Sequence, residues 1–248
     1  MIKFLFLTIF LFSCSTYKKP NFPNKKVCFL LFKLKSSTFE EIIGQKNCEE
    51  RFPPASTFKV PLAIMAFDSG VLKDRDTMIK DHTAATWMRD SLVWFSQELT
   101  PKLGKEKIET YLLSFEYGNT DMSSGLKESW LTSHNSLKIS GFEQLHFLKN
   151  LWRGELKTHT DAQLKTIDLL PIETSAAGNK LLGKTGSGQW PRDQTLRIGW
   201  WVGYLETKQD QYIIVMNFRE KKKSQATTYG GPDAKEMVKQ ILTAKKLW

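Results

Sequence analysis

Residues 60–67, Val60-Pro61-Leu62-Ala63-Ile64-Met65-Ala66-Phe67, are apolar on nearly every face of any helix they form. A helix with no polar side cannot lie on a surface, so this one must run through the centre of the fold. Pro53-Pro54 breaks the chain ahead of it and Gly70 stops it, which predicts a helix from about Ser56. Pro61 falls in the first turns, where a missing backbone donor costs least. Residues three apart on a helix share a face, so Lys59 would bring its amine to the hydroxyl of Ser56, one turn deeper and short of water. A serine hydroxyl is a weak nucleophile until a nearby base takes its proton. The spacing alone is common: Ser15-Thr16-Tyr17-Lys18 and Ser124-Gly125-Leu126-Lys127 repeat it, one in a tail and one in a Gly/Ser-rich loop. The buried setting is what separates Ser56 from both.

The remaining elements can be read from periodicity. Cys28 to Leu34 and Thr38 to Ile43 read as a hairpin around Lys35-Ser36-Ser37. From about Ser91 to Trp152 the pattern is mostly helical, with Ile108, Tyr111, Leu112 and Phe115 on one face. Ser140 with Glu143, and Thr160 with Gln163, are spaced as capping boxes. Leu181–Thr185, Arg197–Glu206 and Tyr212–Phe218 then read as an antiparallel meander, followed by an amphipathic helix carrying Ala234, Met237, Val238, Ile241 and Leu242. Strands at both ends with helices between predict an α+β fold. Its mainly antiparallel sheet is built from both chain ends, with helices packed on it and a helical lobe to one side.

Size supports one large domain, expected over residues 27–248. The net charge of +10 is spread over the sequence apart from Lys221-Lys222-Lys223 and the last helix, and no nucleic-acid-binding motif accompanies it. His82, His134, His146 and His159 lack ligand spacing, so no metal site is expected. Met1-Ile2-Lys3 followed by apolar Phe4–Phe12 reads as a secretory signal. That run spans only about 14 Å as a helix, against the ~30 Å of a bilayer core. Leu11-Phe12-Ser13-Cys14 resembles a lipobox, which implies cleavage of residues 1–13, lipidation of Cys14 and a tether over 14–26. Cys28 and Cys48 are then an even pair in an oxidising compartment. They read either as a staple between neighbouring strands or as two buried thiols.

Lys184-Thr185-Gly186 lies on the first strand of the meander, and Ser91-Leu92-Val93, Tyr117-Gly118-Asn119 and Trp130-Leu131 lie between it and Ser56. Each is weak alone. In this order, with Pro54-Ala55-Ser56-Thr57-Phe58-Lys59, Val93-Trp94-Phe95-Ser96-Gln97 and Gly199-Trp200-Trp201-Val202-Gly203, the set resembles the class D β-lactamases. These belong to the penicillin-recognising serine enzymes, and the likeness covers about Cys28 to Leu242.

The resemblance implies the following roles. Ser56 attacks the lactam carbonyl and is acylated, while Ser91 and Lys184 pass a proton to the leaving nitrogen. Backbone N–H groups of Ser56 and Ser187 form the oxyanion hole, and Thr185, with Gly186 beside it, receives the substrate carboxylate. Lys59 carries a carbamate (N6-carboxylysine) formed from CO₂ or bicarbonate, in a pocket walled by Phe58, Val93 and Leu131, with the indole N–H of Trp130 as a donor to it. At an ordinary pKa of about 10.4 only about one amine in 2,500 is neutral at pH 7, so this role needs burial to lower the pKa by several units. Trp130 also reads as a plain core tryptophan, and Tyr117-Gly118-Asn119 as structural lining.

One departure stands out. The family often carries an arginine near the start of the last helix, where this chain has Gly230-Gly231-Pro232-Asp233-Ala234-Lys235. Lys235 could stand in only as a point charge, without a bidentate contact, and on a basic helix it reads as solvated. The expected activity is β-lactam hydrolysis by an exported, periplasmic, lipid-anchored enzyme. The competing readings are a β-lactam sensor or a penicillin-binding protein that stays acylated; a sensor would need transmembrane and signalling segments for which the chain leaves no room.

Overall fold

A computed structural model describes residues 19–131, 136–190, 196–221 and 229–248. The signal segment, Cys14, His134, Lys222 and Lys223 lie outside the described residues.

Strands β1 (Lys26–Lys33) and β2 (Thr38–Ile43) form the expected hairpin, followed by the short helix α1 (Gln45–Glu49). A 3-10 turn over Ala55–Phe58 leads into α2 (Lys59–Asp68). The two-residue strands β3 (Met78–Ile79) and β4 (His82–Thr83) precede the helical lobe. That lobe holds α3 (Ala84–Asp90), α4 (Val93–Leu103), α5 (Lys105–Ser114), α6 (Gly141–Arg153) and α7 (Thr160–Asp168). Strands β5 (Ile172–Thr174), β6 (Lys180–Trp190), β7 (Leu196–Glu206) and β8 (Gln211–Lys221) follow, and α8 (Gly231–Ala244) closes the chain. Among the described residues the main sheet runs β2-β1-β8-β7-β6-β5, antiparallel throughout, so β1 from one end of the chain pairs with β8 from the other.

Strand parity divides the core. Val27, Phe29 and Leu31 face α8 and pack with Ala234, Met237, Val238, Ile241 and Leu242. Cys28, Leu30 and Phe32 face the lobe, where every residue of α2 from Val60 to Phe67 is buried. With both sheet faces covered, a strand has no polar side to show. This accounts for the adjacent tryptophans on β7: Trp200 joins the lobe core and Trp201 the α8 core.

Three local expectations change. The central helix begins at Lys59, so Ser56 sits on the 3-10 turn before it; Pro61 is then the third helical residue, where no intrahelical donor is missed. The stretch between α5 and α6 is irregular in its described residues, not helical. The Ser140–Glu143 capping box is present, whereas Thr160 is the first residue of α7 with His159 as its cap. Gln163 instead donates to the carbonyls of Leu156 and Thr158 at 3.0 and 3.3 Å, tying α7 to the preceding loop.

Cys28 and Cys48 are joined by a disulfide. It staples β1 to α1 and not strand to strand, because the chain has already turned through Gly44 into the helix. Gly141, at the start of α6, lies against it: a Cβ there would come within 2.5 Å of Cys28 Sγ. A bonded sulfur cannot swing away, so Gly141→Ala is expected to destabilise the fold by roughly 1–3 kcal/mol, as overpacking does. A thermal melt that leaves the midpoint unmoved would show that the sulfur has room to shift.

Candidate active site

Ser56 is held by its neighbours from three directions. Trp200 Nε1 donates to Pro53 O at 3.0 Å, fixing the Pro-Pro segment to β7. Thr57 donates twice to Pro54 O, from its backbone at 3.1 Å and its hydroxyl at 2.7 Å, closing the turn. The buried amide of Gln144 on α6 donates to Thr57 Oγ1 at 2.9 Å and to Tyr117 OH at 3.3 Å. Ala55 takes a left-handed φ of +48°, a costly conformation for a residue with a Cβ, and strain of this kind concentrates at functional sites. Ser56 itself stays half-buried between buried Ala55 and Thr57, so its hydroxyl is reachable.

Lys59 is fully buried, and its Nζ donates to Ser56 Oγ at 3.1 Å. Burial, and secondarily the charge of Lys184, holds its amine well below the usual lysine range. The ring of Trp130 lies 5.3 Å from that nitrogen and stacks on Phe58 with centroids 5.9 Å apart. Trp130 is fully buried, yet its Nε1 has no hydrogen-bond partner among the described residues. Buried donors are nearly always paired, so this N–H fits an acceptor that the chain does not itself supply.

The second lysine comes from the sheet. Lys184 Nζ donates to Ser91 Oγ at 2.9 Å and to Thr185 O at 3.2 Å. Burial, then the charge of Lys235, brings its amine down to about 7. Ser91 closes α3 in a left-handed conformation, φ +58°, which turns the chain directly into α4. Trp87 Nε1, donating to Ser96 Oγ at 2.9 Å, pins α3 to α4 around that turn. Gly186 is packed against the turn at Ser56: a Cβ would meet Pro54 O at 3.0 Å and Thr57 Cγ2 at 3.1 Å. Thr185 and Ser187 are half-buried, and Ser187 Oγ accepts the Gly231 N–H of α8 at 2.8 Å.

The structure therefore gathers Ser56, Lys59 and Trp130 in one group and Ser91, Lys184, Thr185, Gly186 and Ser187 in a second, packed against the first. Val93 differs from the expectation of a dry wall: as the first residue of α4 it is 38% exposed. Lys235 differs too, being half-buried and ion-paired to Glu173 rather than solvated. Tyr117-Gly118-Asn119 is lining. Tyr117 is fully buried, Gly118 leaves no room for a Cβ beside Lys138 O, and Asn119 holds the backbone of Ser136 and Lys138 at 2.7 and 2.8 Å. Sequence reasoning missed the Thr57–Gln144 link and Glu173, which carry no spacing signal. Among the described residues no cluster of side chains suits a metal ion.

Comparison with known proteins agrees with this geometry. Residues 15–243 match the penicillin binding protein transpeptidase domain. The chain is 36% identical to β-lactamase OXA-1 of Escherichia coli over 221 residues, 81% of this chain and 79% of the relative. It is 32% identical to the probable β-lactamase YbxI of Bacillus subtilis over 203 residues, 76% of this chain and 73% of the relative. Among solved structures, the OXA-427 class D β-lactamase superposes with a TM-score of 0.76 at 32% identity, covering 90% of this chain and 100% of that one. Class D β-lactamase BAT-2 does so with a TM-score of 0.76 at 28% identity, covering 90% and 93%. With the paired serines and lysines in place on the shared sheet and lobe, the chain belongs to the class D β-lactamases.

Proposed function

We propose that this chain hydrolyses β-lactam antibiotics through an acyl-enzyme on Ser56. The observation that carries the reading is a buried amine, Lys59, 3.1 Å from the Ser56 hydroxyl, beside the ring of Trp130, whose indole N–H has no partner among the described residues. Ser56 Oγ attacks the lactam carbonyl and loses its proton to the base at Lys59. The C–N bond then breaks, and the nitrogen takes a proton from Ser91, which Lys184 replenishes across their 2.9 Å hydrogen bond. Backbone N–H groups of Ser56 and Ser187 stabilise the oxyanion, each such donor being worth about 3–4 kcal/mol. Thr185 and Gly186 seat the substrate carboxylate end, and exposed Val93 offers an apolar contact to the rest of the molecule. Water attacking the ester releases the acid and regenerates Ser56.

A neutral Lys59 can add CO₂, and the resulting N6-carboxylysine supplies the general base in both half-reactions. Desolvation of the amine and the orphaned Trp130 N–H support this modification: the first keeps the amine nucleophilic and the second suits a carboxylate acceptor. Substrates are small anionic β-lactams, with no metal or nucleic acid involved. We place the enzyme outside the cytoplasm, cut before Cys14 and anchored by a lipid on that residue, with residues 14–26 as tether and 27–248 as the catalytic domain. Among the described residues no helix is long and apolar enough to cross a membrane.

The test is turnover of a chromogenic cephalosporin by the mature chain with and without added bicarbonate. Sustained turnover that rises with bicarbonate is expected. A single stoichiometric burst that bicarbonate cannot revive would instead assign a sensor or penicillin-binding protein that stays acylated.

A further inference from the structure

Gly231, Lys235 and Lys239 fall at i, i+4 and i+8 of α8 and form one stripe along it. At its upper end the stripe touches the strand proposed to seat the substrate carboxylate. The Gly231 N–H donates to Ser187 Oγ at 2.8 Å, and a Cβ on Gly231 would lie 2.9 Å from Thr185 Cβ. Lower down, the stripe meets Glu173 of edge strand β5, which stands opposite Leu181 of β6 on the face that α8 covers. Glu173 carries two ammonium groups, Lys235 on Oε1 and Lys239 on Oε2. Two cations on one carboxylate leave one positive charge in surplus.

Lys235 is the one that can be spared. It is one turn from Gly231, about 6 Å along the axis, and helical side chains lean toward the N-terminus, here the end at Thr185. If Lys235 moves, Glu173 keeps Lys239. The guanidinium closest to this end of α8 among the described contacts, Arg197, is already committed to Glu220 and to Asp233. The charge of Lys235 also reaches Lys184, whose amine it helps to hold down.

Building on the β-lactamase reading above, we propose that Glu173 is a specificity-determining residue that competes with the substrate carboxylate for Lys235. The free enzyme holds Lys235 on Glu173, and the substrate complex holds it on the substrate. Affinity for anionic β-lactams is then set by a residue outside the reacting groups.

The test compares KM for a chromogenic cephalosporin and for its carboxyl methyl ester. Glu173→Gln is expected to lower KM for the acid by about threefold and leave the ester unmoved, the size expected of a partly exposed pair. Lys239→Gln should act in the opposite sense, raising KM for the acid, because Glu173 then holds Lys235 alone. Lys235→Gln should raise KM for the acid and erase the effect of Glu173→Gln in the double variant. Thermal melts of each variant separate these changes from misfolding, and the Lys239 variant keeps the Glu173 side chain in place. An acid-to-ester KM ratio that stays constant across the unaltered enzyme, Glu173→Gln and Lys239→Gln overturns the proposal and leaves the β-lactamase reading intact. Failure of the unaltered chain to turn over either compound overturns both.

Discussion

Ser56→Ala is expected to lower kcat for a chromogenic cephalosporin by about 10⁴–10⁶-fold, the loss seen when the nucleophile of a serine hydrolase is removed. The variant should fold normally, since Ser56 is half-buried and among the described residues its hydroxyl accepts only from Lys59. The turn around it is held by Trp200, Thr57 and Gln144, none of which needs that hydroxyl. Binding should survive, because Thr185 and Ser187 stay in place on β6. The outcome to look for is a folded protein that still binds the antibiotic but shows no acyl adduct by mass spectrometry. Turnover within tenfold of the unaltered enzyme would move the nucleophile elsewhere.

Lys59→Met is the second large effect, expected to cost about 10³-fold or more in kcat, with bicarbonate no longer able to raise the rate. General acid–base groups contribute roughly 10²–10⁴-fold to a step, and this one is asked to serve two. The pH dependence follows with a definite sign. The amine is charged below its lowered pKa and neutral above it, and only the neutral form reacts with CO₂. Activity of the unaltered enzyme should therefore fall on the acid side, more bicarbonate should counter that fall, and the residual activity of Lys59→Met should lack this limb. An acid limb that persists unchanged in Lys59→Met would assign it to another group, with Lys184, whose amine burial brings down to about 7, the first to substitute.

Much of this site was legible because its members announce themselves locally. Ser56 and Lys59 open an all-apolar helix, Lys184 to Ser187 sit on a strand with turn signals on either side, and Ser91 and Trp130 follow in a fixed order. The sheet was legible for a similar reason, since long apolar runs at both ends of a chain have to cover each other. What escaped was decided by meetings across sequence. Gln144 reaches Thr57 over 87 positions and Lys235 reaches Glu173 over 62, and neither partner lies in a periodic pattern that names the other. Val93 shows the limit of hydrophobicity as a guide: an apolar residue at the start of a helix can face solvent, as it does here at 38% exposure. The displaced cap of α7 has a local origin: Gln163 donates to the carbonyls of Leu156 and Thr158 in the loop just before the helix and does not close the box.

The pairing of β1 with β8 bears on how quickly the chain can fold. Lys25 and Glu220 meet across 195 positions, so the centre of the sheet forms only after a very long loop has closed. Contacts of that separation make for high contact order and slow folding, and the loop they close contains almost every group of the site. Ser56 stands early in that loop and Lys184 late, with strand β7 supplying Trp200 to the turn beneath the serine. Ser91 meets Lys184 across 93 positions and Trp200 reaches Pro53 across 147, so the site is completed by long-range contacts nested inside that loop, and a chain without them has no assembled site.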